Sequence, residues 1–166
     1  YNVGAGQQFT SLTMPGGIFE ALDYANISGN VTINITSDLM GENGVIALNE
    51  FNPMFSIVIR PAGGPRTISG ASSVGIIRLN AADHVTIDGV KISDNGGPST
   101  DGVDIDSSTY VLVQNCDIDN NDDDICLKSG RDYDGLRVNR PTEYVVIRDN
   151  TIRRGGGVAL DDRQPR

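Results

Sequence analysis

Short runs of alternating apolar and variable residues cover most of the chain, and Gly, Asn or Asp usually separates one run from the next. One group of runs has a shared frame of ring, apolar, variable and apolar residues that begins at His84, Tyr110 and Tyr144. A second group comprises Ile77-Arg78-Leu79, Val103-Asp104-Ile105, Ile125-Cys126-Leu127 and Val158-Ala159-Leu160. Alternation with period two over so few residues predicts strands with one buried face and argues against helices in this region.

The runs of each group recur at intervals of about 20 to 35 residues, and the longest interval contains residues 131–142, interpreted as a loop. Strands spaced in this way bury their apolar side chains by stacking on the equivalent strands of the next turn. A β-sandwich would instead show hairpin turns at about half this spacing. The pattern therefore predicts an all-β fold, a right-handed, single-stranded parallel β-helix of about six or seven turns.

The N-terminal part fits the same fold with looser spacing, and its strands are predicted at residues 31–35, 57–59 and 67–68. Residues 18–25 have helical spacing, with Phe19, Leu22 and either Ala25 or Asn26 on one side. A solenoid must cover the open end of its core, so we predict a short N-terminal capping helix. We expect one domain, with the cap and first coil at 1–30, N-terminal coils at 31–88 and further coils at 89–166.

The polar residues 161–166 offer no comparable cap, so we expect the final coil to be open to self-association. A net charge of −9 disfavours nucleic acid and anionic membranes as partners. No phosphate-binding loop, zinc spacing or Ser-His-Asp set is visible, and no cofactor or metal ligand is predicted.

Cys116 and Cys126 lie on different strand groups and are predicted to be free thiols. The register of His84 with Tyr110 and Tyr144 predicts a ladder of stacked rings rather than a catalytic histidine.

Two acidic clusters lie about one repeat apart, at residues 99–102 (Ser-Thr-Asp-Gly) and at Asp122, Asp123 and Asp124. If the repeat is one turn, Asp101 lies beside Asp122 and Asp123, and their carboxylates converge on one face. Glycoside hydrolysis needs such a set, because one carboxyl group protonates the leaving oxygen while another activates water. The clusters therefore predict a candidate hydrolytic site.

Other interpretations of the acidic residues stay open. Asp-rich turns are normal in solenoids, and Asp104, Asp106 and Lys128 are expected on a solvated face, where Lys128 could pair with Asp106. An EF-hand is excluded because Asp122 stands where its loop needs glycine and Lys128 where it needs glutamate. A cation held by Asp101, Asp122 and Asp123 remains an alternative.

The motifs at residues 99–102, 121–130 and 145–155 closely resemble glycoside hydrolase family 28, the polygalacturonases, over about residues 88–160. The first part, to about Gly89, is similar instead to N-terminal coils of secreted Bacteroidetes-type parallel β-helix proteins. The change near residue 88 suggests a chimera, natural or engineered, or a truncated chain. The resemblance implies a pectin-lyase-like solenoid, secreted or extracellular parent proteins and an acidic plant-type polysaccharide as partner.

Carried over to this sequence, the resemblance implies that Asp122 is the general acid and that Asp101 and Asp123 position and activate the attacking water. The implied substrate-binding cations are Lys128, Arg153 and Arg154. Two departures point to an incomplete site: Gly156 occupies the position of the family's histidine, and its Arg-Ile-Lys segment is expected beyond residue 166.

From these departures we predict a scaffold without efficient catalysis. The alternatives are an active inverting hydrolase of polygalacturonate or pectin-type polysaccharide, and a calcium- or carbohydrate-binding module.

Overall fold

The structure is a computed structural model that describes residues 1–93, 95–97, 99–153 and 158–160. Within these residues the helices are α1 (Ile18–Asp23) and α2 (Asp132–Val138). The strands are β1 (Asn2–Val3), β2 (Val31–Ile35), β3 (Leu39–Glu42), β4 (Leu48–Asn49), β5 (Ile57–Pro61), β6 (Thr67–Gly70), β7 (Ile77–Asn80), β8 (Val85–Asp88), β9 (Lys91–Ile92), β10 (Val103–Asp106), β11 (Leu112–Gln114), β12 (Asp117–Ile118), β13 (Ile125–Lys128), β14 (Val146–Arg148), β15 (Thr151–Ile152) and β16 (Val158–Leu160).

Strands of successive turns pair in parallel and form three sheets. Sheet 1 has the order β1-β2-β5-β8-β11-β14, sheet 2 the order β3-β6-β9-β12-β15, and sheet 3 the order β4-β7-β10-β13-β16. Each turn contributes one strand to each sheet, so the predicted single-stranded parallel β-helix is confirmed. In the described part of the chain, five turns carry three strands each, and β1 with α1 forms an incomplete turn. The prediction of six or seven turns is therefore too high, and six is reached only if that incomplete turn is counted.

The core consists of inward-pointing aliphatic side chains that stack in register from turn to turn. In sheet 1, each strand from β2 to β11 contributes one fully buried residue to a single row, which consists of Ile33, Ile59, Ile87 and Val113. Fully burying one such side chain contributes about 1.5–3 kcal/mol relative to leaving it exposed. Since a turn cannot bury this row without its neighbours, stacking is what stabilises the solenoid.

Helix α1 closes the N-terminal end of this core, as predicted. Phe19 and Leu22 are buried against the first turns. The helix is shorter than its apolar spacing indicated: its C-cap is Tyr24, and Ala25 and Asn26 are exposed. The prediction that one of these two residues extends the buried side is therefore wrong.

A buried carboxylate anchors the segment that leads into α1. Glu42, only 1% exposed at the end of β3, accepts hydrogen bonds from the hydroxyls of Ser11 and Thr13 at 2.9 and 2.5 Å. It also accepts the backbone N–H groups of Leu12 and Thr13 at 3.0 and 2.8 Å. These four donors satisfy the buried carboxylate oxygens, and hydrogen bonding of this kind offsets the cost of burying a polar group.

The predicted ring ladder is confirmed. The ring centroids of His84 and Tyr110, and of Tyr110 and Tyr144, are 4.9 Å apart, with interplanar angles of 2° and 9°. All three residues have positive φ angles of 55–57°, so the same left-handed corner recurs on three turns. Stacking of the rings helps to offset the backbone cost of that conformation for non-glycine residues.

Helix α2 lies in the segment that the sequence pattern indicated as a loop. Its Tyr133 and Leu136 are exposed, so the segment lacks the apolar stripe that marks a core-facing helix. After its left-handed C-cap at Asn139, Arg140 forms ion pairs with Asp83 at 2.6 Å and Glu50 at 3.3 Å. These contacts attach the segment to earlier turns. Neither described helix has the length and apolar character needed to cross a membrane.

Candidate active site

The two acidic clusters lie on adjacent turns, immediately before β10 and β13 of sheet 3. The parallel pairing of these strands continues backwards into the clusters, where the N–H of Gly102 donates to the carbonyl of Asp123 at 2.9 Å. One residue earlier, the N–H of Asp122 donates to the carbonyl of Thr100 at 3.2 Å. The stacking that was predicted from the repeat is therefore present in the backbone.

Small and buried polar residues make this close stacking possible. Thr100 is fully buried, and its hydroxyl lies 2.7 Å from the carbonyl of Ser72 on the preceding turn. A Cβ added at Gly102 would overlap the side-chain amide of Asn120 and the backbone carbonyl of Asp124. The glycine of the Ser-Thr-Asp-Gly motif is therefore needed because the next turn passes directly against it.

Side chains from both clusters meet at this edge of sheet 3. One side-chain atom each from Asp101, Asp123 and Cys126 lies within 4.8 Å of the others, and the Cys126 thiol contacts Oδ2 of Asp123 at 3.3 Å. Asp122 is not a member of this group. The structure thus brings Asp101 and Asp123 together, with the third predicted carboxylate outside their cluster.

Lys128 links Asp101 to a further carboxylate. Its Nζ lies 3.0 Å from Oδ2 of Asp101 and 2.8 Å from Oδ1 of Asp104. The prediction that Asp104 lies on a solvated face is wrong, since it is only 5% exposed. Its Oδ2 accepts the N–H of Gly75 at 3.1 Å, and the missing side chain at Gly75 leaves room for this carboxylate.

The predicted pairing of Lys128 with Asp106 does not occur either. Asp106 lies opposite Lys128 in the register, but its Oδ1 accepts hydrogen bonds from the N–H of Gly130 and the hydroxyl of Ser107, both at 2.8 Å. The long side chain of Lys128 reaches the carboxylates of Asp101 and Asp104 instead. Its ammonium group is therefore paired with Asp101 and Asp104 and not with Asp106.

Burial and mutual charge shift the pKa values of this cluster. Burial, reinforced by the charge of Asp101, raises the pKa of Asp104 to about 6, although Lys128 opposes the change. Burial lowers the pKa of Lys128, but its hydrogen bonds and ion pairs with Asp104 and Asp101 outweigh this and raise it above its ordinary value. Burial and the charge of Asp101 raise the pKa of Cys126, which is therefore a neutral thiol at neutral pH. Cys116 and Cys126 are both free, as predicted.

The predicted substrate-binding cations differ in their surroundings. Lys128 is held by two carboxylates, as described above. Arg153 follows β15 of sheet 2, and its guanidinium contacts both carboxylate oxygens of Asp117 at 2.6 and 2.7 Å. Arg154, together with Gly156 at the position of the family histidine, lies outside the described residues.

The sequence interpretation missed a cation, Arg78, which lies on the outer face of β7. It occupies the variable position between buried Ile77 and Leu79, and the register places it opposite Asp104. A small cavity of about 50 Å³ is lined by Arg78, Leu79, Asn80, Asp104, Asp106 and Lys128. The period-two pattern could have indicated that Arg78 lies beside Asp104, because the two residues hold the same position in successive repeats.

Together these features define a parallel β-helix that carries an acidic site on the outer face of one sheet. A family model described as "Right handed beta helix region" matches residues 19–164, and the chain belongs to this family. Among curated proteins, it is 32% identical to a polygalacturonase of Penicillium digitatum in an alignment 87 positions long that covers 42% of this chain and 24% of that protein.

Two further relatives match shorter segments. A probable polygalacturonase of Vitis vinifera is 41% identical over 51 residues, 31% of this chain and 10% of that protein. A polygalacturonase of Penicillium janthinellum is 47% identical over 49 residues, 30% of this chain and 13% of that protein. The matches thus span a quarter or less of each of these relatives. No solved structure gives a significant match.

The resemblance to polygalacturonases that the motifs indicated is thereby confirmed over part of the chain. The likeness of the N-terminal half to Bacteroidetes-type proteins, and a chimeric or truncated origin, stay predictions.

Proposed function

We propose that this chain binds an acidic plant-type polysaccharide, of the polygalacturonate class, along the outer face of sheet 3 and hydrolyses it slowly or not at all. The observation that carries this proposal is the pairing of Asp101 with Asp123 on adjacent turns, in a chain similar to polygalacturonases. Action on such a polymer also implies that the protein works outside the cell that makes it.

The arrangement of the carboxylates is compatible with inverting chemistry. Inverting enzymes separate their acid and base by about 6.5–9.5 Å, so that a water molecule fits between the base and the sugar. Asp101 and Asp123 lie together as a pair that can hold this water, while Asp122 lies outside their group. In this assignment, Asp122 protonates the leaving oxygen from the opposite side of the bond.

Two features argue for slow turnover. Lys128 Nζ lies 3.0 Å from Oδ2 of Asp101, so one oxygen of this carboxylate is already engaged by an ammonium group instead of by the attacking water. In addition, the sequence has Gly156 where the polygalacturonase motif has a histidine, so this position supplies no imidazole side chain. An efficient inverting hydrolase is the second candidate function, favoured by the convergence of Asp101 and Asp123.

Binding and hydrolysis should be measured on the same protein samples. Binding is measured by affinity electrophoresis, in which migration through gels that contain polygalacturonate is compared with migration through gels that contain neutral galactan. Hydrolysis is measured by the release of reducing ends over hours. Asp122→Asn tests the assigned acid, and Asp149→Asn is the matched control because Asp149 is exposed next to sheet 1.

We expect retardation by polygalacturonate alone and little release of reducing ends. If the wild type releases reducing ends rapidly, and this release is lost in Asp122→Asn but kept in Asp149→Asn, the result favours an efficient inverting hydrolase. The absence of both retardation and release would overturn both.

A further inference from the structure

We infer that Arg78 is a specificity-determining residue that binds a carboxylate of the polysaccharide one turn before the acidic cluster. This inference rests on the proposed function, because it names the group that selects an acidic polymer at the same site. It concerns a cation that belongs to neither acidic motif and precedes the segment that resembles the polygalacturonases.

The position of Arg78 places its side chain on the face that carries the site. Its neighbours along β7, Ile77 and Leu79, are buried in the core, so the alternation directs Arg78 outwards. In the register of sheet 3, Arg78 lies opposite Asp104 of the next turn, and Asp104 is bound to the Lys128 that contacts Asp101. Arg78 also lines the same small cavity as Asp104 and Lys128.

The charge balance distinguishes Arg78 from the other candidate cations. Lys128 and Arg153 are each within 3.0 Å of a carboxylate oxygen, so their charges are largely neutralised. Arg78 instead donates a hydrogen bond from its Nη1 to the carbonyl of Gly44 at 2.8 Å. Among the described residues, no carboxylate oxygen lies within ion-pair distance of its guanidinium.

The contact with Gly44 prepares the guanidinium for binding. A neutral carbonyl restrains the side chain without cancelling its charge, and it uses one of five N–H donors. The remaining donors can form the parallel pair of hydrogen bonds that a guanidinium makes with a carboxylate. A polyanion is repelled by the negative charges of Asp101, Asp104, Asp106 and Asp123. Arg78, which no carboxylate of the described residues pairs, supplies the positive charge that makes this face compatible with a uronate.

The same contact could have a structural role alone, since it joins β7 to the preceding turn. The test therefore needs a variant that removes the charge, together with a check of its fold. Arg78→Gln removes the charge and keeps a side-chain N–H donor, which lies two bonds closer to the backbone than the Nη1 that contacts Gly44. Arg148→Gln is the control, because Arg148 lies on β14 of sheet 1, away from the site; it donates to Gln114 at 3.0 and 2.6 Å, and its Nε lies 3.9 Å from Oδ2 of the exposed Asp149.

Isothermal titration calorimetry with an oligogalacturonate and with its fully methyl-esterified form measures the effect, and thermal melting checks each variant's fold. For Arg78→Gln we expect about tenfold weaker binding of the free acid, the size expected for one charge-assisted interaction. We expect no change for Arg148→Gln, and equal affinities of wild type and Arg78→Gln for the ester.

An Arg78→Gln variant that binds the acid as tightly as the wild type would overturn the inference and leave the proposed function standing. A wild-type chain that binds no oligogalacturonate would overturn both. If Arg78→Gln does not fold, the side-chain Nε–H resonance of Arg78 in the wild type answers the question. It should shift on addition of oligogalacturonate while that of Arg148 does not, and an unmoved Arg78 signal would refute the inference.

Discussion

Replacement of Lys128 by methionine tests whether its ammonium group holds the acidic cluster together. Methionine keeps most of the side chain's volume and removes its charge. Asp101 and Asp104 would then face each other without the cation that contacts both at 3.0 and 2.8 Å. Loss of one partner from a buried ion pair costs about 3–5 kcal/mol, because an uncompensated charge is left behind.

The expected magnitude is smaller than that range, because the side chains are not fully buried. The side chain of Lys128 is 25% exposed, and those of Asp101 and Asp104 are 12% and 7% exposed. Solvent screening therefore reduces the loss in the free energy of unfolding to about 2–3 kcal/mol at pH 7.5.

The loss should depend on pH in a defined direction. The pKa of Asp104 is about 6 in the folded chain and lies above its ordinary value of 3.8, so ionisation of Asp104 destabilises the fold as the pH rises through this range. Without Lys128 this destabilisation grows, because the ion pair that opposes it is gone. At pH 5 Asp104 is mostly protonated, and the loss should shrink by about 1 kcal/mol or more.

These differences in the free energy of unfolding are measured by urea unfolding at pH 5 and pH 7.5. The proteins compared are the wild type, Lys128→Met and the double variant Lys128→Met/Asp104→Asn. Lys91→Met is the control, because Lys91 is exposed on β9. The double variant should recover part of the loss at pH 7.5, because it removes one of the facing charges. An equal loss at both pH values, or a Lys128→Met variant no less stable than Lys91→Met, would refute this account of the cluster.

Three further substitutions test the packing that positions the site, each by thermal or urea unfolding. Gly102→Ala should cost about 1–3 kcal/mol, because its Cβ overlaps the next turn at Asn120 and Asp124; a neutral effect would contradict the stacking. Glu42→Gln should cost about 2–3 kcal/mol, because the amide cannot accept all four hydrogen bonds, and an unchanged midpoint would count against the role assigned to this carboxylate. Tyr110→Asn should cost about 1–2 kcal/mol through lost ring stacking, whereas Tyr110→Phe should be nearly neutral; equal effects would show that the stacked rings contribute nothing.

The sequence predicted those features that depend on periodicity. The apolar frame predicted strands of sheets 1 and 3, the register of Val103 with Ile125, and the stacking of His84 on Tyr110, because equivalent residues of successive turns lie side by side. The backbone contact between Gly102 and Asp123 follows from the same register.

Features that depend on side-chain reach or on local contacts were not predictable in this way. Alternation gives the face on which Lys128 lies, but not the diagonal direction that its side chain takes to Asp101 and Asp104. The burial of Asp104 depends on the open space at Gly75 of the preceding turn. Helix α2 escaped prediction because polar contacts such as that of Arg140 with Asp83, rather than an apolar stripe, attach its segment to the solenoid.

The central claim is that the outer face of sheet 3 recognises an acidic polysaccharide. A titration of the isotope-labelled chain with oligogalacturonate, followed by backbone amide shifts, tests it most directly. We predict that the shifted amides cluster in β7, β10, β13 and the turns that contain Asp101 and Asp123, with β8, β11 and β14 of sheet 1 unaffected. Shifts centred on sheet 1, or no shifts at saturating ligand, would contradict the account.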